Sequence, residues 1–443
     1  MRFYVIIAGL ALITATGIIA QTPAVEFEKN WPQFRGPNSN QIPNSDKLPI
    51  EWSARKNLSW TYNIPGNGWS SPIIWGNRVF VSTAIPDKSQ LKSSKEHSKK
   101  PTFDVSYELH CLDLNSGELL WKRVVYKGRP YFVTHRDNTY ASETPVTDGE
   151  RVYVYFGALG LYCFDIEGNP VWEKTFGAYL TLGDWGTSTS PTLYDNHLYM
   201  QIDSEDSAYL VALDPATGDE RWRVDRGEKT NWSTPVIWKN KIRTELVTSG
   251  QTARAYDPYS GALLWELELG GGRNISSPTS NEDYLYLGNE ERTSGGGILY
   301  AVKAGATGNI TVKEGASTSA GVAWSLPKSG LSMASPVLHK GFIYLVDPRG
   351  SFISCVDAVT GRHHYQRVRV TGAKAFWATP WIYDDKLFCL DDAGTTFVIQ
   401  TGGHLKVLAK NSIKDKFWAS AAFANNAIVL RGVDKVYCIR SDE

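Results

Sequence analysis

The chain has 443 residues, and Lys+Arg and Asp+Glu balance at 46 each, so its formal net charge is zero. Without a basic excess there is no global field to draw it to nucleic acid or to an anionic membrane surface. Hydrophobic residues make up 42% of the chain, with 16 Trp and 22 Tyr, which supplies a large core and excludes a disordered polypeptide.

Residues 1–20, MRFYVIIAGLALITATGIIA, join a single Arg to an apolar run and small residues. This is the pattern of a secretory signal, with cleavage near Gly17 or Ala20. The alternative is an uncleaved anchor, for which Val5 to Ala20 is short. No Cys precedes Cys111, which argues against a lipid-attached N-terminus. The expected organisation is a signal peptide (1–20), an N-terminal extension (21–56) and one folded domain (57–440). The mature chain is expected to be periplasmic or secreted, monomeric and without a transmembrane span.

From residue 57 onward the sequence repeats. LVALDPATGDERW (210–222) returns as CLDLNSGELLW (111–121), CFDIEGNPVW (163–172), AYDPYSGALLW (255–265) and CVDAVTGRHHY (355–365). A Ser/Thr-Pro signature precedes each copy, at Pro72, Pro145, Pro191, Pro235, Pro278, Pro336 and Pro380, with Ala421 in an eighth. Apart from two long gaps these positions are 41 to 46 residues apart. Each unit reads as four short strands, A to D. Pro opens strand A at no cost in ladder bonds, and the Asp and Gly close a hairpin into strand D, which carries a Trp. Four antiparallel strands at this period predict an all-β, eight-bladed β-propeller. The last unit lacks a strand D, and NLSWTYNI (57–64) is expected to supply it and close the ring, with Trp60 in the Trp slot. Seven blades plus an irregular unit is the alternative.

Four of the five cysteines fall in HCLD, YCFD, SCVD and YCIR, where other copies have Ala212, Ala255 and Ala301. A slot that takes Cys or Ala is small and buried, so these cysteines are expected to be free and packed.

Function is expected where the units differ. From the strand-D Trp to the next aligned Pro the distance is 12 or 13 residues in four units, but 24 after Trp121 and 19 after Trp172. These two enlarged D–A loops bring His135, Arg136, Asp137, Asn138, Tyr140, Glu143, Asp184 and Trp185 to one sector of the mouth. Such a mixture of donors, acceptors and rings suits a polar small-molecule site; the plainer reading is loops that pack on themselves. Three residues before each aligned Pro lie Trp69, Ser142, Ser188, Trp232, Ile275, Met333, Trp377 and Trp418. Their rings either surround the channel entrance, where they could stack a planar cofactor, a sugar or an aromatic side chain, or pack between blades. The lysine-rich segment 85–107 reads as a solvated loop or a contact for an anionic polymer. DSEDS (203–207) reads as a turn or, less well, as a calcium loop.

No Gly-x-Ser-x-Gly, His-Glu-x-x-His or phosphate loop occurs. The one acid–base set to consider is His135 with Glu143 and Asp184. The residues point to binding rather than chemistry, and no catalytic or metal-ligating residue is assigned.

The units resemble the pyrroloquinoline-quinone (PQQ) repeat, Ala-x-Asp-x-x-Thr-Gly-x-x-x-Trp, which VALDPATGDERW contains in full. WPQFRGP (31–37) and DNTYASETPVTDGERVY (137–153) are similar to segments of exported bacterial PQQ-binding-like propellers. The resemblance implies two kinds of relative, the quinoprotein dehydrogenases and the lipoprotein scaffold of outer-membrane barrel assembly. The first would imply PQQ as cofactor, held by adjacent cysteines and Ca²⁺, but no Cys-Cys occurs here; the second would imply a lipidated Cys, also missing. The expected function is an exported binding or scaffold module for a small molecule, glycan or envelope protein. A quinone-dependent oxidoreductase and an envelope assembly scaffold are the alternatives.

Overall fold

The computed structural model describes residues 23–45, 47–91, 101–270, 273–290 and 297–441. Residues 1–22, which hold the expected signal peptide, and residues 92–100 of the lysine-rich segment lie outside these. Among the described residues no helix is long and apolar enough to cross a membrane.

Eight sheets form the ring, each built on four antiparallel strands. Blade one is Ile73–Trp75, Arg78–Pro86, Val105–Asp113 and Leu119–Gly128. In blade eight the strands Ala422–Ala424, Ala427–Arg431 and Lys435–Arg440 are completed by Leu58–Asn63 from the other end of the chain. The expected closure is therefore the observed one, with Trp60 opposite Cys438.

The small slot has a direct steric cause. Trp121 lies across from Cys111, Trp172 from Cys163, Trp222 from Ala212, Trp265 from Ala255 and Trp324 from Ala301. A bulky strand-D ring leaves space for only a small cross-strand partner. The ring then spans to the next blade. The indole N–H of Trp60, Trp121, Trp172, Trp222 and Trp324 donates to carbonyls of Leu114, Ile166, Pro215, Pro258 and Ala358, at 2.8–3.2 Å. Its face covers the glycine of that blade's C–D turn. At Gly117 a Cβ would lie 2.5 Å from the Trp60 ring, and φ is +74°, so both space and backbone require glycine there. All five cysteines are buried and free.

Blade four departs from this scheme. The long C–D connection of blade five adds Gly308–Asn309 in parallel to strand Leu263–Glu268, making a fifth strand. With no short turn to receive it, Trp265 is fully buried and donates to Glu245 of its own blade at 2.7 Å.

Inside the ring, the Ser or Thr before each aligned Pro joins neighbouring blades. The backbone N–H groups of Ser71, Thr144, Ser190, Thr234, Ser277, Thr379 and Ser420 each donate to the corresponding hydroxyl of the next blade at 2.9–3.1 Å. This hoop crosses the closure, since Ser420 donates to Ser71.

The N-terminal extension is a strap across one end of the channel. Inner edge strands expose unpaired N–H and C=O groups, and the strap satisfies them in turn. Trp31 exchanges backbone bonds with Ile74, Pro32 accepts from Thr147, Gln33 from Leu193 and Gln41 from Ile382. Arg35 is buried, and its guanidinium donates to carbonyls of Ser277, Pro278 and Pro336. Asn40 and Gln41 donate to Leu338 and Ala421. WPQFRGP is thus a plug that touches nearly every blade.

Candidate functional site

Because the strap closes one end, the channel is a blind cup of about 600 Å³, open toward the D–A and B–C loops. Two stacked layers line it. The lower is the hydroxyl hoop; the upper is the set of residues three before each aligned Pro, and Phe34 of the strap completes the lining.

The upper layer is asymmetric. From blades seven, eight and one, Trp377, Trp418 and Trp69 form a continuous stack, with ring centroids 4.3 Å and 4.9 Å apart. The two sequence readings of these rings, channel lining and inter-blade packing, therefore hold together. Lys416 lies 5.1 Å and 5.5 Å from the Trp418 and Trp69 centroids, within cation–π range. Blades two and three contribute Ser142 and Ser188 and leave a gap between Trp69 and Trp232.

The enlarged loops fill that gap. Trp69 donates its indole N–H to the Asp137 carbonyl at 3.1 Å, and Trp232 donates to Gly186 at 2.8 Å. Asn138 ties the loops together, donating to the Trp185 carbonyl at 2.7 Å and accepting from Ser142 at 2.6 Å. Trp185 enters the lining, stacked on His135 at 3.8 Å with Arg273 5.1 Å from its centroid. Arg273 and Arg349 line the cup near Ile275 and Met333, and both approach the buried carboxylate of Glu290. Nothing in the repeat pattern marks these arginines, Arg273 in the D–A loop before blade five and Arg349 in the B–C loop of blade six, so sequence reasoning missed them.

Of the residues expected at the site, Trp69, Asn138, Trp185, Trp232, Trp377 and Trp418 line the cup, together with Asp137. Asp184 and Arg136 are exposed on the loops outside the lining. Tyr140 stands behind the wall, donating to Phe132 and packing on Tyr107. The acid–base set does not assemble: the carboxylate paired with His135 is Asp137, at 3.6 Å, while Glu143 is buried and accepts from Thr187.

Burial raises the Glu143 carboxyl from its ordinary 4.5 to about 7. Between these values the folded state holds a proton that the unfolded state has lost, so stability falls as pH rises through the window. Melting followed from pH 4.5 to 8 should show a loss of about 3 kcal/mol, and Glu143→Gln should flatten it. An unchanged slope in the variant would assign the dependence elsewhere.

A sequence profile described as outer membrane protein assembly factor BamB, of the PQQ-like repeat class, matches residues 106–367 and 249–439. The chain belongs to this family. A family likeness in shape follows: BamB from Moraxella catarrhalis superposes with a TM-score of 0.59 at 11% identity, over 87% of this chain and 98% of that one. Quinohemoprotein alcohol dehydrogenase from Comamonas testosteroni superposes with a TM-score of 0.62 at 11% identity, over 96% and 86%. At these identities the likeness is one of fold. Tetrathionate hydrolase from Acidithiobacillus ferrooxidans is 23% identical over 337 residues, covering 70% of this chain and 60% of the relative's length. The quinone–calcium pair of the dehydrogenases does not fit the residues present. The free cysteines lie in separate blades, and among the described residues no three His, Cys, Asp or Glu side chains gather.

Proposed function

We propose that this protein is an exported binding module that takes a small molecule into the cup, at the face bearing the D–A and B–C loops. The observation that carries this reading is the blind end: strap and ring together make a receptacle, not a pore. Its walls combine tryptophan faces with a few polar groups, the composition of small-molecule sites. The leader-like residues 1–20 support export.

Intrinsic fluorescence tests the reading, because Trp69, Trp377 and Trp418 report on the cup. A panel of tetrathionate, PQQ with Ca²⁺, and short oligosaccharides should give a saturable change with at least one member. Trp418→Ala should weaken that ligand about tenfold or more, the order expected when a stacking face is lost. No response anywhere in the panel would count against the cup. A PQQ-specific absorbance change with a thermal shift would favour the oxidoreductase reading, which the dehydrogenase-like fold supports. The BamB relatives support a scaffold reading, and an envelope pull-down that recovers a partner whatever occupies the cup would favour it.

A further inference from the structure

The lower layer of the cup is a ring of hydroxyls with their donors unspent. In the hoop each oxygen accepts a backbone N–H from its neighbour, except at Thr379, whose hydroxyl receives no such bond. Among the described residues, none of the eight hydroxyls donates to a protein acceptor, although all eight line the cup. A hydroxyl keeps one O–H donor after accepting, so the layer presents a circle of eight donors.

Behind that circle stand two buried cations that have no counter-charge among the described residues. Arg35 contacts only carbonyl oxygens below it, and Arg431 reaches Ser70, beside the hoop, and the Ser82 carbonyl. Among the described residues neither forms an ion pair, and Nε of Arg35 and Nε and Nη2 of Arg431 have no partner. Burial lowers both guanidinium groups to about 9, so they stay charged at neutral pH. A buried charge without a partner is costly, and a negative group in the cup would offset both.

We propose that the deep layer of the cup is an oxyanion receptor, in which the hoop hydroxyls and the field of Arg35 and Arg431 hold a sulfonate, carboxylate or similar anionic group while the rest of the ligand meets the tryptophan layer. The inference rests on the cup being the binding site. It names the ligand class as anionic and separates it from a neutral sugar, for which the stacked rings alone would suffice.

The test compares two probes of one shape, 2-naphthalenesulfonate and neutral 2-naphthalenemethanol, titrated calorimetrically at constant ionic strength in NaCl. The sulfonate should bind at least tenfold more tightly. Thr379→Val keeps the side-chain shape and breaks no hoop bond, so the variant should melt with the wild type. It should lose about tenfold in sulfonate affinity, as for a hydrogen bond to a charged group, with the neutral probe unchanged. Equal affinity for the two probes overturns the anion assignment and leaves the cup as the site. Tight sulfonate binding that neither Thr379→Val nor Trp418→Ala weakens places the anion elsewhere and overturns it as well. Failure of both probes, with no stabilisation by inorganic sulfate over chloride, removes the receptor and the cup together.

Discussion

Trp60→Ala should destabilise the protein by about 3–5 kcal/mol, the range for truncating a large buried aromatic. The ring is 8% exposed, donates to Leu114 at 2.8 Å, covers Gly117 and faces Cys438. The same change at Trp121 or Trp172 removes a similar wedge, but those wedges join blades that the chain already holds adjacent. Trp60 sits in the strand that closes the ring, where other ties include the strand pairing, the hoop bond from Ser420 to Ser71, the Trp69–Trp418 stack, the Arg431 bonds to Ser70 and Ser82, and the strap. Equilibrium urea unfolding measures the cost. Trp60→Phe, which keeps most of the apolar area but loses the indole bond, should retain the larger part of the stability. A loss below about 1 kcal/mol for the alanine variant would mean that the other ties close the ring without this wedge.

Asp203→Ala should cost a comparable amount, about 3–5 kcal/mol, by stranding a charge. Asp203 opens the DSEDS stretch, and its carboxylate is buried against Arg226 at 3.0 Å, the two side chains being 1% and 0% exposed. Arg226 also donates to Thr248, Tyr256 and the Ser249 carbonyl, which ties blades three and four together. The acidic stretch is therefore a B–C turn with an inter-blade anchor at its start. Removing only the carboxylate leaves a guanidinium with neutral partners. Arg226→Met added to Asp203→Ala should restore much of the loss, because a buried pair replaced by apolar groups is often near neutral. If the double variant is as unstable as the single one, the hydrogen bonds of Arg226 outweigh its charge.

Those two residues illustrate what could be read from the chain alone. Trp60 was legible because it repeats: the small slot opposite, the turn glycine and the ring itself recur at a fixed interval, so one missing strand was conspicuous. Asp203 was not, because its partner lies on another strand and no periodicity links them. The hoop falls between. Ser or Thr before every aligned Pro, kept as Ser420 where the Pro itself is lost, was a visible signal, yet only the Pro has a local structural meaning. The plug left almost no trace, since Gln33, Arg35 and Gln41 gain their roles from strand edges that meet only in the closed ring. For the cup, the tryptophans were found as departures from one repeat position. Arg273 sits in the D–A loop before blade five, which has the ordinary length of 13 from Trp265 to Pro278, and Arg349 in the B–C connection of blade six, so neither stood out as a departure.

Ser142 and Ser188 interrupt the tryptophan layer beside the very loops that are overgrown, and Trp185 enters the cup from one of those loops. The short side chains and the long insertions are one feature, and its consequence is a matter of symmetry. Eight equal walls would present any guest with eight equivalent azimuths and hold none of them in preference. With an indole stack on one side, an inserted loop ring on another and two arginines between Trp232 and Trp377, the rotation axis of the barrel is lost at the mouth while it persists in the hydroxyl circle below. The upper half of the cup can therefore fix which way a guest faces, and the lower half only how deep it sits.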